Sequence, residues 1–252
     1  MSNILSQSAT RIKTGVALVV VLLIIGFIDS IPLTWLLFGG LMLVALKEAL
    51  NLFKIDDDKI YVYAIVIWLV AYFYPKPEDL IFVVGIIFAS ILAYTKEFNK
   101  QLFLPLMYPI ASYLFLFSLY ISYGMPTLLW LLVVVAGADV GAYFVGKSIG
   151  STKFCETSPN KTLEGVAGGV ITAAILGMLF APEEIGFITA LLISLVVAAA
   201  SVFGDLFESY LKREADVKDS GNILPGHGGI LDRTDGYLFG GIIMLVLLRL
   251  FA

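Results

Sequence analysis

Charged residues are scarce in this sequence of 252 residues, of which 14% are Asp, Glu, Lys or Arg and 60% are hydrophobic. The mean hydropathy is +0.96. A soluble domain of this length has too little interior to bury so much apolar surface, so the composition predicts a polytopic membrane protein. The formal net charge of -4 argues against nucleic acid as a partner.

Other absences narrow the function further. Cys155 is the single cysteine, which excludes an internal disulfide and a multi-cysteine metal site. Arg11 and Lys13 precede the first apolar run without a small-residue cleavage motif after it, so we expect an uncleaved span. We find neither the internal repeat that marks many transporters nor the G-x-x-x-x-G-K-[ST] pattern of a P-loop.

Apolar runs long enough, or nearly long enough, to cross about 30 Å of hydrocarbon recur along the chain. They predict an all-α integral membrane protein with about nine transmembrane helices. Only Asp29, Ser30 and Pro32 separate the first run from the second. The two runs therefore form a tight hairpin, or one of them is tilted or partly re-entrant. The runs are 15 to 28, 31 to 50, 60 to 74, 80 to 94, 102 to 123, 127 to 146, 165 to 181, 185 to 206 and 235 to 251.

Basic residues indicate the orientation, because Lys and Arg collect on the cytoplasmic side of a membrane. With nine crossings and a cytoplasmic N-terminus, all of them except Lys76 and Arg249 fall inside. Eight or ten crossings would separate two polar loops, residues 146–165 and 207–235, that this arrangement places together in the cytoplasm.

The two halves of the chain are expected to differ in role. Residues 1–125 are predicted to form a lipid-embedded scaffold of about five helices, and residues 126–252 the region that carries the chemistry. Charged segments of the first half, such as residues 54–59, are interpreted as solvated turns.

The longest polar run, residues 204–236, lies between two apolar segments and contains the only histidine, His227. Its first part keeps helical spacing, so one helix face carries a carboxylate, a hydroxyl and two cations. A glycine-rich loop that lets backbone approach a ligand closely follows this helix. The residues of that face are Asp205, Ser209, Lys212 and Arg213, and further charges at the start of the last apolar segment are Asp232, Arg233 and Asp235.

These residue types favour one kind of chemistry. Carboxylates are the ligands that a hard cation such as Mg²⁺ prefers, and Lys and Arg neutralise phosphate. The mixture suits a metal-assisted reaction on a polyphosphate better than ion transport. Glu208 is expected to pair with Lys212 at i, i+4, a contact to which we assign no chemistry. For His227 we prefer a structural or phosphate-contact role over that of a general base.

The sixth run and the loop after it contain further polar residues. Asp139 lies in an apolar helix, where a carboxylate is costly and usually functional. It either lines a polar cavity, which we favour, or pairs with Tyr143 or a basic residue to fix packing. The next helix offers free N–H groups to phosphate, although Thr162 is also a candidate N-cap. The polar donors of this loop are Ser158, Asn160, Lys161 and Thr162.

Both polar segments resemble motifs of the phosphatidate cytidylyltransferases, the CDP-diacylglycerol synthases. The run from Ser209 to Asp235 is similar to the family's signature without a mismatch. Residues 158–165 resemble its other cytoplasmic motif, although Leu163 stands where many members carry tryptophan, and Asp139 begins a similar D-x-G-A-Y. Before Asp139, only the layout of the helices matches.

The resemblance implies transfer of CMP from CTP to phosphatidic acid, giving CDP-diacylglycerol and pyrophosphate, with the active site on the cytoplasmic face of a bacterial inner membrane. It also implies Mg²⁺ and a second, monovalent cation such as K⁺. The oligomeric state stays open, a homodimer included. The hypothesis assigns catalysis to Asp205, Ser209, Lys212, Arg213, Asp232 and Asp235, metal binding to Asp205, Asp232 and Asp235, and substrate binding to Asp139, Ser158, Asn160, Lys161, Thr162, Lys218, Asp219, His227 and Arg233.

Alternatives from the same class and from other classes stay open at this point. A CTP-dependent lipid alcohol kinase would release CDP instead of pyrophosphate, and an ether-lipid CDP synthase would differ only in its lipid. A cation-coupled transporter would use Asp139 and Asp205 as a relay. A non-catalytic scaffold would leave the polar signature without a reason.

Overall fold

A computed structural model describes the backbone of residues 2–96 and 99–251 and the side chains of residues 13–96 and 99–251. The side chain of Arg11, one of the cations used for the orientation, lies outside this part. All regular elements in these ranges are helical, which confirms the all-α prediction. The α-helices are α1 Ser2–Ile28, α2 Ile31–Leu52, α3 Lys59–Phe73, α4 Leu80–Thr95, α5 Phe103–Pro105, α6 Ser112–Ile149, α7 Leu163–Phe180, α8 Phe187–Glu214 and α9 Leu231–Phe251.

Six helical segments of the described residues are long and apolar enough to cross a bilayer. Two further apolar helices, Lys13–Ile28 and Lys59–Phe73, are shorter. Nine crossings and a cytoplasmic N-terminus stay predictions. The six segments are Ile31–Leu52, Pro77–Thr95, Lys100–Ile149, Leu163–Phe180, Phe187–Glu214 and Leu231–Phe251.

The predicted fifth run, residues 102 to 123, is not one regular helix. The helix α5 is a single turn, and a π-helical segment that contains Pro109 follows it. Proline has no N–H to donate and its ring crowds the preceding turn, which disturbs a regular helix. The helix α6 joins the rest of this run to the sixth, but its backbone leaves helical geometry at Gly124, where φ is 76°, just before Pro126. The predicted separation of the two runs is therefore present as a break inside α6.

The chain forms two compact units, each built from separate stretches of sequence. The first consists of Met1–Ser118 and Glu214–Arg233, and the second of Leu119–Arg213 and Thr234–Ala252. The loop between α8 and α9 thus belongs to the first unit, whereas α8 itself belongs almost entirely to the second. The predicted division at residue 125 concerned where the chemistry lies, and it stays a prediction.

In the first unit, two tryptophans hold α2 against α3. The rings of Trp35 and Trp68 stack with their centroids 6.4 Å apart. Each indole N–H donates to the backbone carbonyl of the other tryptophan, at 2.9 and 3.2 Å. Gly39 makes room for this contact, since a Cβ at that position would overlap the Trp68 ring. The pairing fixes α2, whose far end contacts the polar loop.

In the second unit, small residues bring α6 and α7 close together. A Cβ at Gly141 would overlap the side chain of Thr172, and a Cβ at Gly169 would overlap the carbonyl oxygen of Ala138. Small residues at such contacts are typical of helix packing in membranes. A buried hydrogen bond of 3.1 Å from Trp130 Nε1 to Ser194 Oγ joins α6 to α8. These contacts position the helices that carry the candidate site.

Gly169→Ala is expected to lower thermal stability, because the added methyl group would strike the Ala138 carbonyl oxygen and push α7 away from α6. Overpacking of this kind costs about 1–3 kcal/mol. Thermal unfolding of the purified protein in detergent, followed by circular dichroism, measures the effect. Gly40→Ala is the matched control, because a Cβ there meets no atom within 4 Å. Equal unfolding midpoints for the two variants would contradict the close packing.

Candidate active site

Three carboxylates converge in the second unit, where α9 begins beside α8. One carboxylate oxygen from each of Asp205, Glu208 and Asp235 lies within 4.8 Å of the other two. Gly204 permits this approach, because a Cβ there would overlap the backbone carbonyl of Asp235. Glu208 is fully buried, whereas the two aspartates are half-buried.

The donor set of this cluster fits Mg²⁺. Mg²⁺ takes oxygen ligands in an octahedron, which places ligand atoms about 3–4 Å apart around one ion. Three carboxylate oxygens within 4.8 Å of one another meet that requirement with only small shifts. With these three ligands, a Mg²⁺ ion would keep coordination positions for water and for phosphate oxygens. The residues that could hold this metal are therefore Asp205, Glu208 and Asp235.

Cations accompany two of these carboxylates. Lys161 Nζ forms an ion pair with Asp205 Oδ2, and Lys212 Nζ lies 2.6 Å from Glu208 Oε2. The expected pairing of Glu208 with Lys212 is therefore confirmed. Ser209 Oγ donates a long hydrogen bond of 3.4 Å to Asp205 Oδ1. Carboxylates and ammonium groups from two separate motifs thus meet within one unit.

A cavity of about 660 Å³ lies in the same unit. Small-molecule sites typically have volumes of about 300–1,000 Å³, so this one is large enough for a nucleotide. Its wall combines polar groups with apolar ones such as Ala142 and Val202. Asp139 is among the lining residues, as we expected. Two other lining residues contact each other, with Lys147 Nζ 3.5 Å from the Tyr143 hydroxyl oxygen. The predicted site residues in the wall are Asp139, Ser158, Asn160, Lys161, Thr162 and Asp205.

The loop before α7 folds back on itself and thereby directs Lys161. Phe154 N–H donates to the Lys161 carbonyl at 2.9 Å, which closes the loop. The Glu164 carboxylate accepts hydrogen bonds of 2.8–3.2 Å from the backbone and hydroxyl groups of Ser151 and Thr152. Thr162 accepts from Gly165 N–H at 3.1 Å, so its role as the N-cap of α7 is confirmed. The same residue also lines the cavity.

The first unit contains another polar cavity, of about 530 Å³, formed by the loop between α8 and α9. Arg233 Nε donates to the His227 carbonyl at 2.9 Å, and this hydrogen bond holds the loop against the start of α9. The His227 ring lies beside Gly15 of α1. Arg213 and Lys218 are exposed, the first at the end of α8 and the second in the loop. The predicted site residues that line this cavity are Lys218, Asp219, His227 and Arg233.

Asp232 fixes the same loop from the first turn of α9. Its Oδ2 accepts from Gly229 N–H at 2.7 Å, from Ser220 N–H at 2.9 Å and from Ser220 Oγ at 3.0 Å. Gly228 turns with a φ of 81°, and a Cβ there would overlap this carboxylate. The structure thus gives Asp232 a part in ordering the loop, while its assignment as a metal ligand stays a prediction.

Sequence reasoning missed two glutamates. Glu208 belongs to the carboxylate cluster, and its position three residues after Asp205 in a largely apolar helix could have revealed it. Glu48 is a carboxylate inside the apolar run 31 to 50, and it contacts the loop of the first unit. Lys54 is exposed in the turn after α2, in line with the prediction of a solvated turn, and its Nζ also donates to the Glu214 carbonyl at 2.8 Å.

Glu208→Gln is expected to lower catalytic activity about 10- to 100-fold, because it removes a charge from the cluster and weakens a charge-assisted hydrogen bond to Lys212. Initial rates of the CMP transfer that the sequence predicts, expressed per folded molecule, measure the effect. Glu214→Gln, an exposed position near the end of the same helix, serves as the control. Equal rates for the two variants would show that Glu208 only pairs with Lys212 and takes no part in catalysis.

The fold and the cluster define a membrane-embedded enzyme whose polar residues suit an anionic substrate and a divalent cation. The chain belongs to the cytidylyltransferase family, whose model matches residues 9–251. A phosphatidate cytidylyltransferase from Helicobacter pylori (strain J99 / ATCC 700824) is 44% identical over 251 residues, which cover 98% of this chain and 94% of the relative. Its namesake from Bacillus subtilis (strain 168) is 37% identical over 264 residues, covering 96% and 98% respectively. Another from Thermotoga maritima is 32% identical over 266 residues, covering 96% of each.

Proposed function

We propose that this chain is a phosphatidate cytidylyltransferase, which transfers CMP from CTP to phosphatidic acid and releases pyrophosphate. Relatives that carry this name over nearly the full length of the chain support the proposal. The structural observation that carries it is the convergence of Lys161 with the carboxylate cluster of Asp205, Glu208 and Asp235. The cavity of about 660 Å³ that Lys161 and Asp205 line offers space for the nucleotide.

The reaction brings two anions together, and the site residues suit that task. The phosphate of phosphatidic acid is already an anionic nucleophile, so it needs little deprotonation. It attacks the α-phosphorus of CTP in line with the departing pyrophosphate, against strong charge repulsion. Asp205, Glu208 and Asp235 would hold a Mg²⁺ ion, which would supply positive charge to the triphosphate. Placing that charge in advance is the main electrostatic contribution expected of such a site.

The two lysines that pair with the carboxylate cluster would change partners during this reaction. Lys161 and Lys212 pair with Asp205 and Glu208 in the protein alone. With those carboxylates holding a divalent cation, both ammonium groups would be available to phosphate oxygens. Ser158, Asn160 and the hydroxyl of Thr162 add neutral donors from the cavity wall.

Several further assignments belong to the same proposal. The cations Lys218, Arg233 and Arg213 provide additional contacts for phosphate groups, with Asp219 and His227 beside the first two, and Asp232 is a further candidate metal ligand. The distribution of Lys and Arg supports nine crossings with the N-terminus and both motif loops in the cytoplasm. The apolar helices and the bacterial origin of the relatives are consistent with the inner (plasma) membrane of a bacterium as its location. The proposal also includes a second, monovalent cation such as K⁺, which the family resemblance implies. The oligomeric state, with a homodimer as one candidate, stays open.

The fate of each CTP phosphate tests the reaction. Purified protein in detergent receives phosphatidic acid with CTP labelled at either the α- or the γ-phosphate, with and without Mg²⁺. The α-label is expected in the lipid and the γ-label in pyrophosphate, and both transfers are expected to require Mg²⁺. Transfer of the γ-label to a lipid alcohol would indicate a kinase and contradict the proposal. Competition between ester- and ether-linked lipid phosphates separates the two synthase alternatives.

A further inference from the structure

A buried glutamate on α2 contacts the loop between α8 and α9. Glu48 is only 4% exposed. Its Oε1 accepts from Ile230 N–H at 3.0 Å, and its Oε2 accepts from Leu231 N–H at 2.8 Å and from Ser220 Oγ at 3.0 Å. All three donors belong to the loop or to the first residue of α9, and all belong to the same compact unit as Glu48.

The loop backbone is shaped around this carboxylate. A Cβ at Gly221 or at Gly229 would overlap the Glu48 carboxylate, so a larger residue at either position would displace it. A buried carboxylate is costly unless it is well hydrogen-bonded, and an unsatisfied backbone N–H is costly too. Because Leu231 is the first residue of α9, Glu48 also supplies negative charge to a helix N-terminus from another helix.

Ser220 connects Glu48 to a residue of the family signature. Its hydroxyl oxygen lies 3.0 Å from Glu48 Oε2 and 3.0 Å from Asp232 Oδ2. A hydroxyl has one proton to donate, so it serves one carboxylate at a time, while its backbone N–H stays bonded to Asp232 at 2.9 Å. Fixing Ser220 and the 229–231 backbone therefore fixes Asp232 and the neighbouring Arg233.

Lys54 and Thr14 also contact the end of α8 and this loop, each through a single exposed hydrogen bond. Lys54 Nζ donates to the Glu214 carbonyl at 2.8 Å, and Thr14 Oγ1 donates to the Pro225 carbonyl at 3.1 Å. Exposed bonds of this kind exchange readily with water and contribute little net stability. Of these three residues, Glu48 is best suited to set the loop geometry, because it makes three hydrogen bonds in a buried setting.

We infer that Glu48 is a positioning residue, which holds the loop between α8 and α9 so that Asp232 and Arg233 keep the geometry required for CMP transfer. This inference rests on the proposed function. It assigns a role in catalysis to a helix that sequence reasoning treated as scaffold, and to a residue outside both polar motifs.

Kinetics of Glu48→Gln and Ser220→Ala test the role. Glutamine keeps the size of glutamate but turns an amide N–H₂ toward backbone donors, whereas alanine removes only the bridging hydroxyl. Each variant is expected to lower kcat about 10- to 100-fold, the loss that corresponds to one hydrogen bond to a charged group. KM for CTP and for phosphatidic acid should rise by a smaller factor than kcat falls, because the main effect is expected on the transfer step.

The double variant and a control distinguish positioning from stability. Glu48→Gln combined with Ser220→Ala is expected to be no slower than the slower single variant, since both act on the same loop. Glu78→Gln places a glutamine at another buried glutamate of the first unit and should leave kcat unchanged. A wild-type kcat in folded Glu48→Gln, or fully multiplicative losses in the double variant, would overturn the inference. If Glu48→Gln does not fold, Ser220→Ala alone decides, and a wild-type kcat there overturns it.

Hydrogen exchange provides a readout that does not depend on activity. The amides of Gly229, Ile230 and Leu231 are expected to exchange at least about tenfold faster in Glu48→Gln than in the wild type, while amides of α7 stay unchanged. Unchanged exchange in a folded variant would overturn the inference even if activity falls. If the wild type transfers no CMP but the variant exchanges faster, the proposed function fails while the attachment of the loop to Glu48 stands.

Discussion

Asp205→Asn and Asp235→Asn are each expected to lower the rate of CMP transfer about a thousandfold, because each removes a charged oxygen ligand from the carboxylate cluster. Asparagine keeps the size of the side chain, so the loss follows from charge and not from packing. The rate of pyrophosphate release per folded molecule, measured over a range of Mg²⁺ concentrations, checks the prediction.

An exposed aspartate provides the matched control for these two variants. Asp56 lies in the turn between α2 and α3 and is exposed, so Asp56→Asn should keep the wild-type rate. All three variants should be recovered from the membrane in similar amounts. Substantial retained activity in Asp205→Asn or Asp235→Asn would show that the replaced carboxylate is not a metal ligand.

Lys161→Ala is expected to lower kcat/KM for CTP about a hundredfold, because the variant lacks an ammonium group that neutralises phosphate oxygens. The rise in KM for CTP should account for much of this loss, since the lysine lines the cavity proposed for the nucleotide. Initial rates at varied CTP and fixed phosphatidic acid separate the two parameters.

Lys153→Ala removes the same charge from the same loop and serves as the control. Lys153 is exposed, and it is not among the residues that line the cavity of Lys161. The control should therefore keep kcat/KM close to the wild-type value. Equal losses in both variants would mean that only the general charge of the loop matters, and unchanged kinetics in Lys161→Ala would make the loop structural.

Much of the fold could be predicted because apolar runs alone determine where helices lie in a membrane. The run 31 to 50 became α2, Ile31–Leu52. The run 185 to 206 became part of α8, which continues through the predicted polar face to Glu214. The irregular backbone around Pro109 was missed, since hydropathy does not respond to a proline within an apolar run.

The candidate site was predictable where its residues stand within motifs, and not where they depend on distant partners. Lys161 and Asp205 were both assigned to it, and they form an ion pair. Glu208 was set aside because its pairing with Lys212 already accounted for it, although it also joins the carboxylate cluster. The contacts of Glu48 lie 172 to 183 residues away along the chain. A single sequence contains no signal for such contacts.

Binding of Mn²⁺, a paramagnetic substitute for Mg²⁺, tests most directly whether Asp205, Glu208 and Asp235 form a cation site. Electron paramagnetic resonance of the purified protein in detergent distinguishes free from bound Mn²⁺ without any substrate. We predict one tightly bound ion per chain in the wild type and in Asp56→Asn, and none of that affinity in Asp205→Asn or Asp235→Asn. Binding of equal affinity and stoichiometry in all four proteins would contradict the assignment.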